Sequence, residues 1–258
     1  MKYIDKLSQK LKKGPLSITQ YKEILKNGDT FFESVDLETE LLISNGYPIY
    51  FSDDKVYLKT KENHIKDQVF CIVDIETTAS TPKKGQIIEL AAIKFKNGQI
   101  IEEYQSLANC NYIPKKVQEI TGINLDMLNG APNIKEVLEE FKLFLEDDVF
   151  VAHSVSFDYN FISESFKKYD LGELLNRRLC TIELAKRIIV APKYGLKTLK
   201  EYLNLKIDDH HRAYSDALST TLILKECLIL IGDDIQNTES LIEFSKTAEI
   251  KVSDDKKE

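Results

Sequence analysis

The chain has 258 residues, 43% hydrophobic and 30% charged, a balance that fits a globular protein with a sizeable core and excludes disorder throughout. No apolar run is long enough to cross a bilayer, and Met1-Lys2-Tyr3-Ile4-Asp5-Lys6 has neither the apolar block nor the small-residue cleavage site of a secretion signal. The net charge of −7 does not by itself mark a nucleic-acid binder, and only four of the basic residues are arginines. Cys71, Cys110, Cys180 and Cys227 are scattered without a Cys-x-x-Cys, which argues against a disulfide framework or a structural zinc site and for a reduced, cytoplasmic protein.

In chain order, the first third reads as three short helices and a hairpin. Tyr3 to Leu11 has helical apolar spacing stopped by Gly14-Pro15, Ser17 is placed to cap Ile18–Lys26, and Val35–Ser44 ends at Asn45-Gly46. Tyr47–Phe51 and Lys55–Lys59 are β-rich runs around a Ser52-Asp53-Asp54 turn. This layout predicts a small winged-helix-like module over residues 1–65, with Lys61–Gln68 as a polar linker. A generic helical cap fits the same pattern, and a charge-neutral module of this kind suits a protein partner as well as DNA.

From Val69 the texture changes. Val69–Val73 reads as a buried strand, and Ile87–Phe95 and Gln99–Leu107 as strands joined at Asn97-Gly98. Helices are predicted over Pro114–Ile120 and Asn133–Leu145, then a short strand, Val149–Ala152, and a helix near Phe157–Lys168. Thr181–Ile189, Leu196–Leu203 and Ala213–Ile231 follow as helices. Strands first and then strand–helix alternation predict an α/β domain with a mixed sheet over residues 66–232. Residues 233–258 read as an acidic tail with one apolar patch at Leu241, Ile242 and Phe244.

Three places hold residues suited to chemistry. Asp74 and Glu76, two apart on a strand, point to one side at its polar end. Paired carboxylates repel, and a hard divalent cation resolves the conflict. Asp158 opens a helix after an apolar strand, where an acid also complements the helix dipole. Asp216 lies in the first turn of the last helix, five residues after His211. An imidazole near a carboxylate suits a general base that activates water. Singly, each has an ordinary structural explanation.

Together they do not. Asp74-Ile75-Glu76-Thr77, then His153 with Phe157-Asp158, then His211-Arg212-Ala213-Tyr214-Ser215-Asp216-Ala217 resemble, in order and spacing, the three motifs of the DEDDh (DnaQ-like) 3′→5′ exonucleases. Ile87-Ile88-Glu89-Leu90, Ile120-Thr121-Gly122-Ile123 and Gly195-Leu196-Lys197-Thr198-Leu199 fit the intervening stretches. The resemblance covers roughly residues 67–231 and is nearest to proofreading (epsilon) subunits of bacterial DNA polymerase III. Ser154 departs from the usual Asn of the second motif, and Ala79 stands where Gly often follows the Thr pair.

The resemblance implies a ribonuclease H-like exonuclease fold and release of nucleoside 5′-monophosphates from DNA 3′ ends. It implies two divalent ions, Mg²⁺ or Mn²⁺, held by Asp74, Glu76, Asp158 and Asp216, with His211 as general base. Two such ions would bring residues 66–231 from net −3 to about +1, so the acidic balance does not exclude a phosphate-rich substrate. Thr77 and His153 are placed beside the substrate. A single-stranded or frayed 3′ end is the expected substrate, with a polymerase III catalytic subunit or a sliding clamp as candidate partners. An RNA-processing exoribonuclease (ribonuclease T-like or oligoribonuclease-like) has the same site. A non-catalytic nucleic-acid or polymerase-binding module is the reading from another class. Gln236, Leu241 and Phe244 are placed for a clamp contact but do not form a tight motif, and a solvated tail with one amphipathic turn fits them better.

Overall fold

The computed structural model describes residues 3–207, 211–232 and 235–251. Residues 3–62 form α1 (Tyr3–Leu11), β1 (Leu16–Ser17), α2 (Ile18–Lys26), α3 (Val35–Ser44), the hairpin β2 (Ile49–Ser52) and β3 (Lys55–Leu58), and the single turn α4 (Lys59–Glu62). Ser17 and Gln20 form a capping box at α2, satisfying two backbone N–H groups. Asp53 and Asp54 carry the turn of the hairpin at positive φ. The strand order is β1-β3-β2, and Leu7, Leu11, Tyr21, Leu25, Leu42, Val56 and Leu58 close a core of their own beneath it.

The remainder comprises β4 (Phe70–Thr77), β5 (Ile87–Lys96), β6 (Gln99–Leu107), α5 (Lys115–Thr121), α6 (Leu125–Leu128), α7 (Ile134–Leu145), β7 (Val149–Ala152), α8 (Val155–Lys168), β8 (Arg178–Cys180), α9 (Thr181–Ile188), α10 (Leu196–Tyr202), α11 (Ala213–Leu230) and α12 (Thr238–Thr247). The sheet order is β6-β5-β4-β7-β8, antiparallel on the first three strands and parallel from β4 through β7 to β8. Asn97 and Gly98, both at positive φ, turn β5 into β6. The central strand is buried on both faces, so its residues alternate between two cores. Phe70 and Ile72 pack with Ala213, Ala217, Leu224 and Leu241, whereas Cys71, Val73 and Ile75 pack with Leu138, Phe141, Phe161 and Ile162. The mixed sheet flanked by helices is the fold class predicted from the sequence.

Two sequence expectations are corrected. Residues 233–258 are not a solvated tail throughout: α12 packs on the sheet's helical layer, with Leu241 and Ile242 fully buried. Its acidic composition misleads because Glu239 is itself buried, gripped by Arg177 and Thr60 and approached by Lys12 at 3.3 Å. Leu241 is thus unavailable to a clamp. Residues 233, 234 and 252–258 of the predicted tail lie outside the described residues. Nor is 61–68 a free linker. Ile65 N–H donates to Gln236 O and Thr238 N–H to Asn63 O, so the segment's polarity is met by the α12 strap. At the same junction two Asn–Gly contacts interlock the modules: a Cβ on Gly46 would lie 2.1 Å from Asn176 Oδ1, and one on Gly172 would lie 2.4 Å from Asn45 Oδ1.

Candidate active site

The strand period settles the first two acids. Asp74 and Glu76 project from β4 to the face that α11 covers, where Ala91, Ala213 and Ala217 leave room beside them. The β4–β5 register slips between Glu76 and Thr77, a bulge at the rim of the site. Asp158 arrives from α8, whose first turn follows β7, and is buried. The backbone of Ile75 and of Asp158 itself lies beside its carboxylate and favours the charged form. Asp216 lies in the first turn of α11, also buried, and accepts the His211 N–H at 3.2 Å.

All four predicted acids are brought together, with His211 at the solvent side. Ligating atoms of Glu76, His211 and Asp216 lie within 4.8 Å of one another. The electrostatics are those of crowded, dehydrated anions. Burial, then the charges of Asp158, Asp216, Glu76 and Glu89, push the Asp74 carboxyl well above the usual range. Glu76 is pushed up to about 7 by burial and by Asp216 and Glu89, against a lowering from Arg212. Asp158 is pushed up to about 8, chiefly by burial, although the neighbouring backbone opposes the shift. This donor set is oxygen-rich and hard, with one imidazole and no thiolate. It fits Mg²⁺ or Mn²⁺, which would relieve the repulsion that the fold imposes.

The two residues predicted beside the substrate are committed elsewhere. Thr77 Oγ1 donates to Ala79 O and shapes the turn after β4. His153 has both ring nitrogens engaged, Nδ1 with Thr181 Oγ1 and Nε2 with Tyr194 O, each at 2.9 Å. Burial pushes its pKa down to about 4, and its two contacts hold β7 to the α9–α10 segment. His210, which precedes His211 in the sequence, lies outside the described residues.

Sequence reasoning passed over Glu89 as a working residue. Its carboxylate is fully buried and accepts from Arg212 Nε and Nη2, from Ala213 N and from Gln105 Nε2. The available signal was a lone acid inside the otherwise apolar run Ile87–Ile93.

A mixed sheet whose central strand ends in a cluster of four carboxylates, capped by an exposed imidazole, defines a nuclease. The chain belongs to the exonuclease family, whose RNase_T domain matches residues 71–224. A PolC-type DNA polymerase III of Halalkalibacterium halodurans is 39% identical over 176 residues, 67% of this chain. The chain spans only 12% of that relative's length. Among solved structures, exonuclease X in complex with 5′-overhanging duplex DNA superposes with a TM-score of 0.56 at 24% identity, covering 68% of this chain and 99% of the other. Escherichia coli exonuclease I in complex with a dT13 oligonucleotide gives 0.57 at 17%, covering 64% and 42%. These likenesses concern the fold.

Proposed function

We propose that the chain is a divalent-metal-dependent 3′→5′ exonuclease of the DEDDh type that trims DNA ends in a proofreading role. The convergence of Asp74, Glu76, Asp158 and Asp216 with His211 carries this reading. Bound Mg²⁺ or Mn²⁺ supplies the positive charge that absorbs the negative charge built up by in-line attack on a phosphodiester. Asp74, which feels the charges of the other three acids, would be the residue shared between two ions. Glu76 and Asp216 would hold an ion beside the attacking water, and Asp158 would help hold a second. His211, exposed at the mouth, takes the proton of the attacking water. Asp216 also accepts the backbone N–H of His211, so one carboxylate both ligates and fixes the base.

The polymerase III relatives support DNA over RNA and a polymerase as working partner. In this reading residues 66–232 are the exonuclease domain, completed by α12, and residues 1–65 are a winged-helix-like module fastened to it. A frayed end is the natural substrate, because a mismatched terminus unstacks at least cost.

The test is digestion of matched 3′-mismatched DNA and RNA oligonucleotides with Mg²⁺ and with EDTA, with Asp74→Ala as control. Stepwise, metal-dependent trimming that favours mismatched DNA is expected. Preference for RNA would move the function to RNA maturation, and no trimming of either would sink the enzymatic reading.

A further inference from the structure

His211 stands in an unusual stretch of backbone. Its φ is +61°, a left-handed conformation that non-glycine residues seldom hold unless their surroundings impose it. Two ties impose it. On one side, the His211 N–H donates to Asp216 Oδ2. On the other, the two residues that follow are gripped by one carboxylate. Arg212 meets Glu89 through Nε at 3.1 Å and Nη2 at 2.7 Å, and Ala213 N–H donates to Glu89 Oε2 at 3.0 Å. Glu89 is wholly buried at the edge of the site, directly across the β4–β5 ladder from Glu76. A buried charge of this kind is held only by full pairing, and bidentate pairing fixes direction as well as distance.

We infer that Glu89 is a positioning residue for the cleavage reaction: through Arg212 and Ala213 it sets the chain between His211 and α11, and so aims the imidazole at Glu76 and Asp216. The inference rests on the reading of His211 as proton acceptor. Glu89 accepts from Arg212, Ala213 and Gln105, so it acts through its neighbours. Gln105 Nε2, from the adjacent strand β6, braces Glu89 from behind at 3.1 Å. The design explains why the apolar run Ile87–Ile93 carries an acid at this register, and why an arginine follows the imidazole immediately.

The conservative variant Glu89→Gln keeps the size of the side chain. It replaces one acceptor oxygen with a donor aimed at Arg212, so the two-pronged grip is lost. A merely structural loss would lower activity by the same factor whatever base is present. A positioning loss would vanish once the base is gone. The experiment is therefore a double-mutant cycle on the full chain: wild type, Glu89→Gln, His211→Ala and the double variant. Each is assayed for kcat and KM on a single-stranded DNA oligonucleotide with Mn²⁺, with melting temperature and calorimetric Mn²⁺ affinity alongside.

Glu89→Gln is expected to lower kcat by about tenfold to a hundredfold, with KM and Mn²⁺ affinity changed by less than about threefold. In the His211→Ala background the same change is expected to cost less than about threefold. Losses that multiply in the double variant, or an undiminished kcat in Glu89→Gln, would overturn the inference. If His211→Ala alone cost less than about tenfold, the assignment of the base would fall instead. Should Glu89→Gln melt below the assay temperature, Arg212→Lys carries the same cycle. It keeps the charge and removes the fork, and it is expected to couple to His211→Ala in the same way.

Discussion

Glu76 stands directly opposite Glu89 across the β4–β5 ladder, both carboxylates facing α11. Like charges in that position destabilise a sheet, and here Asp74, Asp158 and Asp216 add three more acids around the same strand end. Arg212 offsets part of the repulsion by pairing with Glu89 and lowering Glu76. The rest is left for a cation. The fold therefore holds these acids in a repulsive arrangement that a bound cation would relieve, and several consequences are measurable.

The first concerns Asp74. It feels burial and the charges of four neighbouring carboxylates, so neutralising it removes repulsion without opening a cavity. Asp74→Asn is expected to abolish metal-dependent trimming while the metal-free protein melts higher than wild type at pH 8. A gain of about 1 kcal/mol corresponds to roughly 2–4 °C for a chain of this size. Calorimetry without metal checks it, and an unchanged or lower melting temperature would contradict the electrostatic account.

The second concerns pH. The carboxyls of Asp74, Glu76 and Asp158 have folded-state pKa values raised above those of the unfolded chain, to about 7 for Glu76 and about 8 for Asp158. Between the ordinary carboxylate range and those values the folded state binds more protons than the unfolded one. The contribution of these three groups to the stability of the metal-free protein therefore falls as pH rises from about 4 to 8. Mn²⁺ competes with those protons, so its stabilising effect should grow over the same interval. Thermal shift with and without Mn²⁺ at pH 5.5, about 7 and about 8.5 tests this, and an increment that is flat or shrinks with pH would refute it.

Much of this was legible in the sequence because the responsible signals are local. The period-two placement of Asp74 and Glu76, the Asn97-Gly98 turn and the cap at Ser17 act within a few residues. What was hidden depends on partners far along the chain. Glu239 reads as one more acid in an acidic segment, and only the fold brings Arg177, Thr60 and Lys12 to it. His153 sits in a motif associated with the site, yet Thr181 and Tyr194, 28 and 41 residues away, take both its nitrogens. Glu89 was visible as a lone acid in the apolar run Ile87–Ile93, but its purpose needed Arg212, 123 residues distant.

The Glu239 cluster yields a third expectation. Glu239 is buried with Arg177, and breaking such a pair strands a charge, at a cost of about 3–5 kcal/mol. Glu239→Ala should lower the urea midpoint strongly. Truncation after Gly232 should do at least as much, since it also uncovers the surface that Leu241 and Ile242 bury, about 1.5–3 kcal/mol for each side chain. A truncated chain that unfolds at the wild-type urea concentration would show that α12 contributes nothing to the fold.

The last expectation concerns Ser154, the residue that departs from the family's second motif. It caps α8 at φ +80°, in the left-handed region, and its hydroxyl makes no capping bond. A side chain with a Cβ is strained there by about 1 kcal/mol or more, whereas Asn tolerates the conformation through local hydrogen bonding. Position 154 is exposed, so the larger amide meets no packed neighbour. Ser154→Asn is therefore expected to stabilise the protein by about 0.5–1 kcal/mol in urea unfolding, and Ser154→Gly by a similar amount less the entropy that glycine adds to the unfolded chain. Ser154→Val, β-branched at the same φ, should destabilise. If Asn, Gly and Val at this position gave the same urea midpoint, backbone strain would not be what distinguishes the start of α8, and the departure from the motif would carry no energetic consequence.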